Sequence, residues 1–369
     1  MTTPDQPLHG VYTFLPQERV IFGVGSLSQI QGEVARIGAV RALIITGNTL
    51  ATQTDVIAGV AHALGALHAG TFAGIRQHAP GSGVAQATEA ARALDADVLI
   101  SVGGGSPIDA AKAVALELAR ERGVFPAQIA IPTTLSAAEF SHLAGVTDEQ
   151  RRAKTGFADP HVAPRIVILD AGLTLATPAR LWLSSGIRAL DHAVETLYAP
   201  GAHLINDVLA LEAVRRLFSD LPRTQERPDD LDVRTDLQLA AWMSFFGEVN
   251  TPMGLSHNLG RRIGATYDVP HGITSCITLP YVMRHFAPVH TAALAAVGRT
   301  IQADEAGPDN LDAALFAADA VGDLIGRLGL PRRLSEVGIA ASNLQDIAVA
   351  TVGEGPQTRE VEELLRQML

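Results

Sequence analysis

"DVLISVGGGSPIDAAKA", residues 97–113, is the stretch on which the fold turns. The apolar, β-branched run "VLISV" reads as a buried strand, which ends in Gly103, Gly104 and Gly105. Ser106 and Pro107 then open an alanine-rich helix. Glycines allow positive φ and close approach to the backbone, and a helix start presents free N–H groups and a partial positive charge. Pro107 costs little there, because an N–H in the first helical turn has no intrahelical partner. The unit predicts a phosphate site with pyrophosphate as its natural guest. A turn that binds nothing is the alternative, although three consecutive glycines exceed what such a turn requires. The spacing is not G-x-G-x-x-G, so the ordinary Rossmann fingerprint is absent.

Working outward, "RALIIT" (41–46), "AQIAIPTT" (127–134) and "RIVILD" (165–170) read as further buried strands, and "TLATQTDVIAGVAHALGAL" (49–67) as one helix. Strand–helix alternation predicts an α/β fold, a parallel sheet with helices on both faces. "FGVGSL" (22–27) is a second glycine turn before a helix. In "ITGNTLA" (45–51) the strand end faces the place where a nucleotide ribose commonly lies, and an acid there would repel a 2′-phosphate. Gly47 and Asn48 are uncharged, so NAD(H) and NADP(H) both stay open.

Past about residue 176 the strand signal nearly vanishes. Helical patterns cover 178–199, 204–220, 231–249, 289–303, 311–328 and 357–369. The expected organisation is an α/β dinucleotide-binding domain over 1–176 and an all-helical substrate domain over 177–369, with the cleft between them as the default site. "RTQERPDDLDVRTD" (223–236) is expected to be a surface loop.

Of the 369 residues, 47% are apolar and 18% charged, which suits a globular chain. Thirty-nine acids against 28 bases give a net charge of −11, which argues against nucleic acid or an anionic membrane as partner. A lone cysteine, Cys276, excludes an internal disulfide and fits a cytoplasmic setting; its apolar surroundings predict a buried, inert thiol. The N-terminus shows no secretory signal, and no apolar run is long enough to span a membrane.

The second half carries three informative histidines. His192 lies in "SSGIRALDHAVETLYAP" (184–200), and His257 and His271 lie fourteen residues apart in "GLSHNLGRRIGATYDVPHG" (254–272). Three imidazoles converging from three segments would make a transition-metal site. In a chain with 12 histidines, any three could equally be unrelated. One helical turn before His192, where a metal site would want a carboxylate, stands Arg188. A guanidinium cannot ligate a cation, but it suits carboxylates. Asp191 is placed to pair with Arg188 at i,i+3.

Together "FGVGSL", "GGGSPIDAAKA", "IPTTLSAAEFS", "AKTG", "SSGIRALDHAVETLYA" and "GLSHNLGRRIGATYDVPHGITSCITLPYVM" resemble, in order and over nearly the whole chain, the iron-containing alcohol dehydrogenase superfamily. That superfamily also holds glycerol dehydrogenase and dehydroquinate synthase. The compact length, "PTTLSAAEFS" and "HAVETLYAP" resemble its maleylacetate reductase branch, whose members reduce the carbon–carbon double bond of maleylacetate with NADH or NADPH.

The resemblance implies that Gly103, Gly104, Gly105 and Ser106 hold the cofactor pyrophosphate, with Thr133, Thr134 and Lys154 in the nucleotide site and Asp109 supporting the turn. Gly47 stands where many NAD-linked members carry an aspartate, which leaves NADP admissible. It also implies a homodimer. Metal-dependent members use an Asp and a His four apart, then two further His. Here His192, His257 and His271 remain, but the Asp position is Arg188, and Arg261 stands where a catalytic histidine is common.

The expected protein is therefore a reductase for a small anionic, carboxylate-bearing oxo or enoyl substrate, without a tightly bound divalent metal. Any metal that did bind would sit at His192, His257 and His271. Arg188 and Arg261 would fix the carboxylate, and His257 or His271 would supply the proton, with Tyr267 as another possible acid. Three other readings stay open: a metal-dependent alcohol or aldehyde dehydrogenase, a lyase or cyclase akin to dehydroquinate synthase, and a non-catalytic nucleotide-binding relative.

Overall fold

The computed structural model describes residues 11–150, 153–201, 203–247, 249–303, 307 and 309–369. It divides into two compact units. One comprises Phe14–Pro178 with Pro228–Gln238; the other comprises Ala179–Arg227 and Leu239–Leu369, joined by residues 11–13.

The first unit is built on six parallel strands. They are β1 (Arg19–Phe22), β2 (Ala42–Ile45), β3 (His68–Phe72), β4 (Val98–Gly103), β5 (Ala127–Pro132) and, after a hairpin, β8 (Ile166–Leu169). Their order across the sheet is β1-β8-β5-β4-β2-β3, with every pairing parallel. The hairpin is antiparallel and consists of β6 (Leu143–Asp148) and β7 (Ala153–Ala158). The helices of this region are α1 (Ile30–Arg36), α2 (Asn48–Gln53), α3 (Val56–Leu64), α4 (Gly81–Ala93), α5 (Gly105–Arg122) and the short α6 (Ala171–Thr174).

Alternation along the strands explains the two covered faces. Ile44, Ile100, Ile131 and Ile168 point to one core with Ile30 and Val34 of α1 and Val60 and Leu64 of α3. Leu43, Ile45 and Leu99 point to the other, against Val84 and Ala87 of α4 and Val114 and Leu118 of α5. Each fully buried Leu or Ile stabilises the fold by about 1.5–3 kcal/mol.

The remaining helices are α7 (Ala179–Thr196), α8 (Leu204–Glu226), α9 (Leu231–Phe245), α10 (Leu255–Tyr267), α11 (His271–Phe286), α12 (Thr291–Gln302), α13 (Leu311–Arg327), α14 (Leu344–Val352) and α15 (Pro356–Gln367). In the helical unit α7 lies against α8, α10 and α11. Among the described residues no helix is long and apolar enough to cross a membrane.

Two local expectations are corrected. The single helix over 49–67 is broken, because Thr54 is extended between α2 and α3. Its hydroxyl donates to Leu50 O and accepts from the Val56 N–H, a local bond that competes with helix continuation. The loop expected over 223–236 shrinks to residues 227–230. Helix α8 runs on through Pro222 to Glu226, and Asp230 caps α9 by accepting from the Val233 N–H. Arg234 of that stretch is buried, donating to Pro228 O and to Thr174 O and Oγ1. The sequence reading also missed β1, β3 and the β6–β7 hairpin.

Candidate functional site

In the α/β unit, β4 runs directly into the glycine turn. Gly103 has φ +136°, outside the range that side chains adopt readily, and a Cβ there would lie 3.1 Å from Pro107 Cγ. At Gly104 a Cβ would lie 3.2 Å from Thr134 Cγ2 and 3.3 Å from its Oγ1; at Gly105 it would lie 3.4 Å from Ser136 Oγ. Gly104 is the N-cap of the 18-residue helix α5 and brings no side chain to cap it. The buried hydroxyls Thr134 Oγ1 and Ser136 Oγ have no hydrogen-bond partner among the described residues. A helix start with open N–H groups, flanked by two unsatisfied hydroxyls and lined by glycine, is a cradle of the right chemistry for a pyrophosphate. Ser136 was not anticipated from the sequence; its place two residues after Thr134, across from Gly105, is a tertiary fact.

The other expected nucleotide residues have definite partners. Ser106 Oγ accepts from the His78 N–H at 3.0 Å. The Thr133 N–H donates to Gly103 O, and Thr133 O accepts from Thr177 Oγ1, so Thr133 holds the turn through its main chain. Asp109 departs from expectation: its Oδ2 accepts from the Gly145 N–H and from Lys154 Nζ, each at 3.3 Å. It therefore ties α5 to the hairpin rather than supporting the glycine turn. Gly47 caps α2 with ordinary φ, and a Cβ there would meet Ile75 O at 3.2 Å. Asn48 is the first residue of α2, and its carbonyl accepts from Thr52 Oγ1.

Beside the cradle lies a buried ionisable pair. Lys112 is fully buried and donates to Ala138 O (2.7 Å) and Leu143 O (2.8 Å); burial lowers its ammonium to about 8. Burial likewise pushes the Glu139 carboxyl up to about 7, against the pull of Lys112.

In the helical unit, Arg188, Asp191, His192 and Glu195 recur at i, i+3, i+4 and i+7 on α7, so all four share one helix face. All are buried. Arg188 Nη1 donates to Asp191 Oδ2 at 3.2 Å and to Ser275 Oγ at 3.0 Å. Ser275 in turn donates to Asp191 Oδ2 at 2.6 Å. Arg188 Nη2 stands against the imidazole of His257, 2.6 Å from Nδ1 and 2.5 Å from Nε2. The His192 and His257 rings stack at 5.6 Å, and His192 meets Phe245 edge-on.

Burial first, then the Arg188 charge, depresses both His192 and His257 well below the ordinary imidazole range; His192, His271 and Arg261 push His257 further down. Arg261 and His271 are thus close enough to His257 to act on it electrostatically, and both are half-buried. His271 is the first residue of α11, after Pro270. Burial raises the Asp191 carboxyl above its usual range, opposed by Arg188 and Ser275.

The structure therefore brings together His192, His257, His271, Arg188 and Arg261. The expected i,i+3 pair of Arg188 with Asp191 forms, and the structure adds Ser275 and Glu195, whose roles depend on partners distant in sequence. Arg188, expected to grip a substrate carboxylate, instead directs its donors to Asp191, Ser275 and His257. Tyr267 drops out, being ten residues from His257 at the far end of α10, about 15 Å along a helix axis. Cys276 is buried, and burial raises its thiol far above the reactive range.

A divalent cation does not fit these residues as they stand. Arg188 Nη2 occupies the approach to the His257 nitrogens, and a guanidinium repels a dication. Among the described residues no group of three or more His, Cys, Asp or Glu is placed to hold a metal ion.

Known proteins resemble the chain over most of its length. The family model for iron-containing alcohol dehydrogenase matches residues 16–171, and the one for the C-terminal region of the same family matches 182–366. Maleylacetate reductase 2 of Cupriavidus pinatubonensis is 38% identical over 81% of this chain and 80% of its own length. The maleylacetate reductase of Rhizobium sp. is 33% identical over 92% of this chain and 90% of its own. The crystal structure of maleylacetate reductase from Agrobacterium tumefaciens superposes with a TM-score of 0.83 at 30% identity, covering 99% of this chain and 98% of that one. A 1,3-propanediol oxidoreductase shares the fold, with a TM-score of 0.91 at 22% identity over 98% of this chain and all of that one. With both family models matched and relatives of this identity along most of its length, the chain belongs to the iron-containing alcohol dehydrogenase family, in the maleylacetate reductase branch, and is an oxidoreductase.

Proposed function

We propose that the protein is an NAD(P)H-dependent reductase of a small oxo or enoyl carboxylate, with maleylacetate as the first candidate, and that it works without a tightly bound metal. The observation that carries the reading is the guanidinium of Arg188, held against His257 by Asp191 and Ser275 where a metal would need the imidazole lone pair.

A bound nicotinamide would supply the hydride. Gly103, Gly104, Gly105 and Ser106 hold the pyrophosphate, with Thr134 and Ser136 offering hydroxyls, while Lys154 and Asp109 fix the adjoining hairpin. The uncharged Gly47 and Asn48 turn admits NADP(H) as well as NAD(H). Arg261 binds the substrate carboxylate through its planar fork, one turn along α10 from His257. Arg188 acts as a fixed positive charge that stabilises the enolate or alkoxide formed on reduction. His271, the half-buried histidine of the three, delivers the proton; His192 and His257 are buried and neutral, so they have no surplus proton to give. The reading divides the labour near residue 176, nucleotide before it and substrate after it. It carries a homodimer and a cytoplasmic setting as further expectations, the first checked by sedimentation.

The test is a screen of NADH and NADPH oxidation over oxo acids, enals and maleylacetate, with and without added zinc or iron. Turnover of acids without metal supports the reading. Turnover of neutral alcohols or aldehydes alone, and only with metal, sinks it.

A further inference from the structure

Helix α10 starts at Gly254, which has no side chain with which to cap it. Its first-turn N–H groups still need acceptors. Two are met from another helix: the N–H groups of Ser256 and His257 donate to Glu195 Oε1 (2.7 Å) and Oε2 (3.3 Å). Glu195 is 1% exposed, and a carboxylate at a helix N-terminus also complements the positive end of the macrodipole. The glycine is needed for this contact, because a Cβ at residue 254 would lie 2.3 Å from the Glu195 carboxyl carbon. The Ser256 hydroxyl shares a 2.8 Å hydrogen bond with Thr278 of α11, so the first turn of α10 is held from two sides.

His257 is the third residue of that turn. Glu195 holds its main chain, while its ring meets Arg188, seven residues before Glu195 on the same face of α7. Arg261 follows one turn later on the face of His257. One helix face thus sets both the cation beside His257 and the cap beneath it.

We propose that Glu195 is a positioning residue for the reaction: by capping α10 at Ser256 and His257 it fixes the rotation and height of that helix, and with them the His257 ring and the Arg261 guanidinium. The inference rests on the reading given above, in which Arg261 binds the substrate carboxylate and the Arg188 charge is stationed against His257.

Two variants disturb the cap differently. Glu195→Gln keeps the volume but turns one of two acceptor oxygens into a donor. Gly254→Ala leaves Glu195 intact and pushes its carboxylate aside. Because displacement of reacting groups by about 1 Å can cost a hundredfold, both should lower kcat by about 10- to 100-fold, with KM for NADH unchanged. The assay uses the acid turned over fastest in the screen above. The amide protons of Ser256 and His257 should shift upfield in both variants, and the double variant should be no worse than the poorer single one.

Loss of thermal stability with unchanged kcat per folded molecule would mean a purely structural role, and overturns the proposal. If Glu195→Gln does not fold, Gly254→Ala is judged alone by the same kcat and amide-shift criteria. His257→Ala and Arg261→Ala separate the two levels. If neither alters turnover or KM, the reading of the site fails and the proposal with it. If both do while the cap variants keep full turnover, the positioning role alone is overturned.

Discussion

Arg188 and Asp191 form an ion pair of 3.2 Å, three residues apart on α7, with the Asp191 side chain wholly out of solvent and that of Arg188 only 7% exposed. Ser275 bridges them, donating to the carboxylate and accepting from the guanidinium. Both charges lost their hydration on folding, so the pair stands or falls together.

Removing one partner should therefore be costly. Asp191→Asn leaves the guanidinium uncompensated and is expected to destabilise the protein by about 3 kcal/mol, whereas Arg188→Met with Asp191→Leu should recover most of that loss. Urea unfolding of the single and double variants measures both. Equal stability of Asp191→Asn and the parent would show that the pair contributes nothing.

Arg188→Asp replaces the cation at the histidines with a potential ligand. If charge alone keeps a metal out, the purified variant should retain close to one zinc or iron per chain by elemental analysis. A variant that retains none after incubation with either metal would show that the pocket has been reorganised more widely than at one residue.

Arg261→Gln keeps a polar side chain but loses the charged fork. It should raise KM for the carboxylate substrate by about ten- to a hundredfold, the weight of a lost charge-assisted bond, and leave KM for NADH alone. Steady-state kinetics with each substrate varied decides it. A drop in kcat with both KM values unchanged would instead place Arg261 at the reacting atoms.

Gly104→Val should cost nucleotide affinity more than stability, because its side chain would fill the space against Thr134, where even a Cβ comes within 3.2 Å. NADH binding followed by fluorescence should weaken at least about tenfold, the loss of roughly 1.4 kcal/mol or more. Undiminished NADH binding would remove the turn from the cofactor site.

Glu139 makes a pH prediction. Its carboxyl rises from an ordinary 4.5 to about 7 on folding, so between those values the folded chain holds a proton that the unfolded chain has released. Stability should therefore fall as pH rises from 4.5 through 7, by on the order of 3 kcal/mol from this group. In Glu139→Gln that decline should be absent from urea unfolding curves at pH 5, 6, 7 and 8. An unchanged decline assigns it elsewhere.

The parts legible from the chain were those whose signal is local. The glycine turn after β4 announces itself because a phosphate cradle requires small residues in succession. The buried strands β2, β4, β5 and β8 show as apolar runs because helices cover both faces. Strands β1 and β3 are partly exposed where β2 and β8 are buried throughout, and "HAGTF" offers no alternation to read. In the site, Arg188 and Arg261 stood out as wrong residues in a familiar pattern. The pairing of Arg188 with Asp191 could be read, but its other contacts could not, since Ser275 and His257 reach it from 87 and 69 residues away. Glu195 gave only the signal of its spacing, seven residues after Arg188 on the same face; a glutamate in an amphipathic helix normally faces solvent, and only the arrival of α10 makes it a cap.

The cation beside His257 is part of the polypeptide. It is installed by the ribosome, needs no loading step, cannot be displaced by a competing ion and has no second oxidation state. Its price is inheritance: a single codon change at 188 or 191 alters it in every molecule at once, where a dissociable ion could simply be replenished.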